Sequence, residues 1–259
     1  MTARGDIYGS ERLGLGYAFR RPPVHPLVLD LVADDLGLDA PLARGLDIGC
    51  GAGLSTAALS RLTRTAVGLE PNGAMLIHRA RVAPGAQFAV ARAEAIPFRS
   101  GSFDVLTAAG ALNYVDRERF LPEAARVLVP GGTLVVYDFS SGRRIAEDHR
   151  LEMWFDAFQA RWPFPRGYAF DHSRLDSPAV GLRIGRRREF VVAIPLALPA
   201  YVEYVLTETN VEQAIQAGES LEAIRDWCTR GLADIFGPGP REVLFEGYIL
   251  YVHRDREVA

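Results

Sequence analysis

From residue 42 to residue 138 short β-rich runs alternate with helical stretches, a rhythm that restricts the chain to parallel strands joined by crossover helices. Residues 45–48, 66–70, 87–90, 103–108 and 133–138 read as five strands. Residues 53–62, 72–82 and 116–128 read as helices, the last stopped by Pro130-Gly131-Gly132. Beyond 138 the rhythm changes. Residues 141–161 read as helical, 162–180 as an aromatic and proline-rich loop, and 190–194 as a sixth strand. Helices then fill 199–236, with Ser220 as a cap for the last, and 242–253 forms a final strand. Residues 1–26 read as irregular, ahead of a helix at 27–37.

A net charge of −3 gives no global positive field, so nucleic acid and anionic membrane surfaces are not expected partners. All 29 basic residues are arginine, which points to a GC-rich bacterial genome rather than to function. Cys50 and Cys228 cannot build a disulfide framework and suit a reducing cytoplasm. The start of the chain carries Arg4, Asp6, Glu11 and Arg12 without a signal-type apolar core. The longest apolar stretch, 191–202, is too short to span a bilayer and contains Pro195 and Pro199. The expectation is a soluble cytoplasmic protein, monomer or homodimer.

The sharpest local signal is Asp47-Ile48-Gly49-Cys50-Gly51-Ala52-Gly53. Glycines at alternate positions between a strand and a helix permit a tight turn and a close backbone approach by a ligand. A dinucleotide fingerprint counted from Gly49 would need a third glycine at 54, where the chain has Leu54. Glu70 ends the second strand, where a carboxylate can accept both hydroxyls of a ribose. On their own these residues read as an adenosine-type site, against a ligand-free turn and a solvated strand-end acid.

Further segments follow in order: Ala93-Glu94-Ala95-Ile96-Pro97-Phe98, Ser102-Phe103-Asp104-Val105 and Arg126-Val127-Leu128-Val129-Pro130-Gly131-Gly132. Together with the glycine loop and Glu70 they resemble the class I S-adenosylmethionine-dependent methyltransferases, in the branch of ubiquinone-pathway and trans-aconitate-type enzymes. The resemblance covers about residues 42–140. It implies an α/β fold: a doubly wound, Rossmann-like, seven-stranded, mostly parallel sheet with an antiparallel last strand and helical lid insertions. The corresponding division is 1–41 (N-terminal lid segment and helix), 42–140 (cofactor-binding core), 141–189 (aromatic lid segment) and 190–259 (sixth strand, inserted helices 199–236, last strand).

The resemblance also implies S-adenosylmethionine as cofactor. Asp47 would lie near its methionine part, over the backbone of Gly49, Cys50, Gly51 and Gly53. Glu70, with Pro71, would hold the ribose, and Ala93, Glu94 and Ala95 would meet the adenine. Ala109 and Gly110 would face the amino group, while Tyr17 and Arg21 would fold over the cofactor from the N-terminal segment. Met75 packs either on adenine or in the core.

Methyl transfer from a sulfonium needs alignment and exclusion of water more than a catalytic triad. The region Ala109-Gly110-Ala111-Leu112-Asn113-Tyr114 lacks the Asn/Asp-Pro-Pro-aromatic tetrad of nucleobase and amide amino-methylating enzymes. Only Asp138 matches the acids by which catechol-type relatives bind a metal, so none is expected. Asn113 and Tyr114 fall beside the methyl group, where Tyr114 either contacts the sulfonium by cation–π attraction or packs under a lid. Trp154, Phe155, Phe158, Trp162, Phe164, Tyr168 and Phe170 form an aromatic lid or a dimer interface, with Trp154 and Phe158 in the substrate pocket on the first reading. Asn210 either joins that pocket or caps a helix. His149 and His172 are candidate general bases. Arg183, Arg186, Arg187 and Arg188 read as a solvated turn before the sixth strand, or as a site for an acidic partner. The expected activity is methylation of a small molecule at O, N or C by in-line displacement. The alternative is an adenosylmethionine-binding protein that catalyses another reaction or acts as a regulator.

Overall fold

The structure is a computed structural model and describes residues 9–164 and 171–256. In chain order these form α1 (Glu11–Phe19), α2 (Val24–Leu36), β1 (Leu42–Ile48), α3 (Leu54–Leu59), β2 (Thr63–Glu70), α4 (Arg79–Val82), β3 (Gln87–Val90), β4 (Phe103–Ala109) and α5 (Arg117–Val127). There follow β5 (Leu128–Phe139), β6 (Arg144–Ile145), α6 (Arg150–Arg161), β7 (Leu182–Leu196), α7 (Leu198–Val205), α8 (Thr209–Gln216), α9 (Leu221–Phe236) and β8 (Arg241–Arg254). They divide into two units. An α/β unit holds His25–Phe139, the segment ending at Phe190, and the chain from Gly247. A helical unit holds the segment ending at Val24, the segment starting at Ser140, and Val191–Glu246.

In the α/β unit the parallel strands lie in the order β3-β2-β1-β4-β5, so the order reverses between β1 and β4. The last part of β8 lies antiparallel to β5, from Thr133 opposite His253 to Phe139 opposite Gly247. Alternate residues of one face, including Leu46, Ile48, Leu106, Leu134, Val136 and Leu250, bury against Phe120, Ala124 and Val127 of α5. β1 ends in four successive buried residues and β2 in five, as strands covered on both faces do. Gly247 is needed where β8 passes Asp138, because a Cβ there would run into the Asp138 carbonyl and the Phe190 ring.

Eight strands are described where seven were expected, the additional one being the two-residue β6. The stretch read as a helix over 72–82 breaks into a 3₁₀ turn, Met75–His78, and the single turn of α4. Asn72 explains part of this: its side chain accepts the Ala74 N–H at 3.0 Å, a local turn that competes with helix. The arginine cluster is also corrected. Arg183, Arg186, Arg187 and Arg188 stand within β7 rather than in a turn before it. Arg186 and Arg188 both donate to Asp35 at 2.7 Å, and Tyr251 donates to its other oxygen at 2.7 Å, so this nearly buried acid organises the cluster.

In the helical unit, residues read as irregular form α1. Ser10 caps it by accepting the Leu13 N–H, and Gly16 permits close packing, since a Cβ there would stand 2.8 Å from Thr207 Cγ2. Ser220 caps α9, as its sequence position implies. The rings assigned to a lid make the core of this unit instead. Trp154 stacks on Phe158 with centroids 5.4 Å apart, and Trp162 meets Trp227 edge-on at 5.1 Å. Phe158 has no exposed surface and Trp154 keeps 7%, so neither offers a ring face to a ligand. Tyr168 and Phe170 lie outside the described residues. No helix among the described residues is long and apolar enough to cross a membrane.

All 3 tryptophans of the chain belong to this unit, so their fluorescence reports its unfolding alone. Phe158→Ala is expected to lower its stability by roughly 3–5 kcal/mol, the usual cost of emptying a fully packed aromatic site. Urea unfolding followed by tryptophan fluorescence checks this.

Candidate functional site

Ligands of open α/β sheets bind outside the carboxyl ends of the strands where the strand order reverses. Asp47 occupies that point near the end of β1 and has no exposed surface. Three hydroxyls donate to it: Ser55 at 2.6 Å, Thr56 at 2.8 Å and Thr107 at 2.9 Å. Burial pushes its carboxyl up to about 6, against the downward pull of those three bonds, with a smaller upward push from Glu70. Asp47 therefore ties β1 to α3 and β4 beneath the glycine loop.

The loop after β1 is fixed by its own amides. Gly49 and Cys50 donate to the Leu69 carbonyl at 2.8 and 3.0 Å, and Gly53 donates to Cys50 at 2.9 Å. Gly51 donates to Glu70 Oε2 at 2.9 Å, while Asn72 donates to Glu70 Oε1 at 2.9 Å. Glu70 thus links the first loop to the second. Each oxygen has accepted one hydrogen bond and retains capacity for another, as hydroxyls of a ribose would need. Burial raises its carboxyl above the ordinary range, and the two backbone bonds lower it. Gly49 has φ 66°, and a Cβ on it would stand 2.6 Å from that of Ala111. At Gly51 a Cβ would come into ordinary contact with Met75, whose methyl lies 3.6 Å from where it would stand. Met75 is buried and borders the loop, so both of its readings keep support. Cys50 turns its sulfur toward Gly68 of β2, leaving only its backbone on the loop surface, and Pro71 is exposed.

Glu94 has a structural task. Its Oε1 accepts the Asp116 N–H at 2.9 Å, and Arg92 pairs with it at 3.5 Å. Ala93 is buried and Ala95 exposed beside it. Past β4, Ala109 leads into Gly110, which has φ 59° and donates to the Tyr137 carbonyl at 2.9 Å. Gly110 and Asn113 line a small hollow with Asp138 and Tyr248. Tyr114 is 58% exposed.

The remaining candidates belong to the helical unit. Arg21 stacks over Tyr17, 4.1 Å from the ring centre, and reaches Glu208 at 3.3 Å and the Thr207 carbonyl at 3.2 Å. Asn210 is buried within α8 and donates to the Trp162 carbonyl at 2.7 Å; the capping position belongs to Glu208, so Asn210 is not the cap. His149 is 82% exposed at its side chain and bonded to Glu152 at 2.8 Å, a surface setting unlike an enclosed base. His172 begins a 3₁₀ turn, and its side chain lies outside what is described.

Sequence reasoning missed the clamp on Asp47, although Ser55-Thr56 directly behind the glycine loop was a legible sign of it. It also missed His25, whose Nδ1 lies 2.9 Å from the hydroxyl of buried Tyr137. Among the described residues no group of three or more His, Cys, Asp or Glu is arranged to hold a metal.

Residues 46–136 match the family model described as "Methyltransferase domain". A ubiquinone/menaquinone biosynthesis C-methyltransferase UbiE from Geotalea daltonii is 36% identical over 126 residues, 45% of this chain and 54% of that one. The chain spans about half the length of the curated relatives it matches. Among solved structures, a protein described as a candidate type II methyltransferase from Anaeromyxobacter dehalogenans aligns with a TM-score of 0.66 at 21% identity, over 91% of this chain and 97% of that one. The structure named 4+2 cyclase SpnF aligns with a TM-score of 0.54 at 21% identity, over 89% and 81%. These two likenesses establish the fold, which hosts more than one named reaction.

The Asp47 setting has a pH signature. Its folded carboxyl, at about 6, holds a proton more tightly than an ordinary unfolded carboxyl near 4. The resulting stability is present below the unfolded value and lost as pH rises through about 6. The stability of the protein relative to Asp47→Asn should therefore fall from about pH 4 to about pH 6 and then level off. Urea titrations of both proteins across that range read this directly. A rising difference would mean that the three hydroxyls outweigh the cost of burial.

Proposed function

We propose that this chain, whose residues 46–136 match a methyltransferase domain, is a class I S-adenosylmethionine-dependent enzyme that transfers a methyl group to a small-molecule acceptor. The observation that carries the reading is the Gly51–Glu70 hydrogen bond at the point where the sheet reverses. It holds a side-chain-free loop and a strand-end carboxylate together, the pair an adenosine needs. Beside that loop each Glu70 oxygen has accepted one backbone hydrogen bond and can take another, which fits the hydroxyls of such a ligand.

Glu70 would accept ribose hydroxyls, Met75 would lie along the adenine, and the glycine loop would support the amino-acid part. Bound there, the cofactor supplies a methyl group already activated on sulfur. The protein's part is to orient and to exclude water, which agrees with a site lacking a triad. The relative from Geotalea daltonii is named for ubiquinone/menaquinone biosynthesis, which supports a small-molecule acceptor. Two buried free cysteines suit a reducing cytoplasm. Leu54 opens α3 where a dinucleotide site would carry glycine, which disfavours NAD.

Calorimetry on the full chain should show binding of S-adenosylmethionine and its demethylated product and none of NAD; the reverse pattern would remove the reading. Glu70→Ala should weaken product binding by roughly 2–4 kcal/mol, through loss of a charged acceptor. Glu94→Ala should cost less, since its carboxylate already serves Asp116 and Arg92. A larger effect at Glu94 would reverse the assignment of ribose and adenine ends.

A further inference from the structure

The hollow beyond β4 has a chemistry of its own. Gly110, Asn113, Asp138 and Tyr248 line it, with apolar surface from Leu112 and Val136. Asp138 stands opposite Tyr248 across the β5–β8 ladder. Its Oδ1 accepts the Phe139 N–H at 2.8 Å, and among the described residues no cation pairs with the group. Gly110 keeps the carboxylate accessible from its side, since a Cβ there would stand 3.2 Å from Oδ1. Asn113 Oδ1 is buried without a hydrogen-bond partner. Burial raises the Asp138 carboxyl above its ordinary range, while the Phe139 bond lowers it, and burial pushes the Tyr248 phenol up to about 12.

Buried acceptors without donors are costly, and native proteins rarely keep them unless a ligand, ion or water completes them. Here Asn113, whose buried amide oxygen lacks a partner, and Asp138, a half-buried carboxylate with acceptor capacity beyond the Phe139 N–H, line one space that also has apolar walls. Their common complement is a group that donates hydrogens from a mainly apolar body. A carboxylate and an amide oxygen that both have room for a hydrogen reward such a group and penalise its methylated counterpart.

We propose that Asp138 and Asn113 are specificity-determining residues that receive the hydrogen-bond-donating head of the methyl acceptor, a hydroxyl or an amine N–H. This rests on the methyltransferase reading above. It selects protic acceptors over fully substituted ones. For a hydroxyl acceptor it also weakens the hold on product, since a methylated oxygen has no hydrogen left to donate. A second source of the same chemistry is the ammonium tail of the cofactor, and the experiment separates the two.

The full chain saturated with S-adenosylhomocysteine is titrated, by ligand-observed NMR, with phenol against anisole and with benzylamine against benzyltrimethylammonium. At least one protic probe should bind about tenfold tighter than its methylated twin, the scale of one hydrogen bond to a charged or buried acceptor. Asp138→Ala and, independently, Asn113→Ala should reduce that preference to within about twofold. Both variants should bind S-adenosylhomocysteine and 5′-methylthioadenosine as the parent does. Equal binding of the twins by the parent protein overturns the assignment. So does a loss, in Asp138→Ala, of S-adenosylhomocysteine affinity with 5′-methylthioadenosine unaffected, because the hollow would then hold the cofactor's ammonium. Failure of the parent to bind S-adenosylhomocysteine at all counts against the methyltransferase reading itself, a separate outcome.

Discussion

A carboxylate without access to water has to be met by donors, and Asp47 is met by three hydroxyls. Ser55 and Thr56 bring the start of α3 down onto it, and Thr107 brings β4 beside it. The glycine loop between β1 and α3 is therefore anchored at both ends by one side chain. From there the site follows in short steps. The anchored loop offers the Gly51 N–H to Glu70, and Glu70 in turn holds the Asn72 N–H of the next loop. Two carboxylates thus hold the two loops in fixed relation.

Several charged groups that look available in the sequence are already engaged. Glu94 holds the entry to α5, Asp35 gathers two arginines and a tyrosine, and Arg21 serves Glu208. Groups with remaining acceptor capacity at the strand ends of the α/β unit include Glu70, Asn113 and Asp138. Glu70 ends β2, next to β1, whereas Asn113 follows β4 and Asp138 lies near the end of β5. That separation matches a site with a nucleoside end and an acceptor end.

The alternation of strands and helices made the strands of the parallel sheet legible, because buried strands and glycine turns carry local signals. Glu70 and the glycine loop were legible for the same reason. What escaped depended on partners distant in sequence. Trp154 and Phe158 have the composition of a lid, and only their burial and their ring contacts with Trp162 and Trp227 show them as core. Gly16 looked like an irregular segment because the Thr207 methyl it accommodates lies far along the chain. The β7 arginines looked like a solvated turn because Asp35, which meets Arg186 and Arg188 and is itself held by Tyr251, lies far along the chain. Asp138 was considered only as a metal ligand, since nothing local reveals that Asn113 faces the same hollow.

The central claim is that the loop of Gly49–Gly53 and the strand end at Glu70 together receive the nucleoside of the cofactor. Amide hydrogen exchange of the full chain, with and without saturating S-adenosylhomocysteine, tests it at peptide resolution. The account predicts slowed exchange in peptides covering 49–56, 70–76 and 93–95, since occupied loops open less often. Binding that leaves all three at their free rates, with protection confined to other segments, would contradict it.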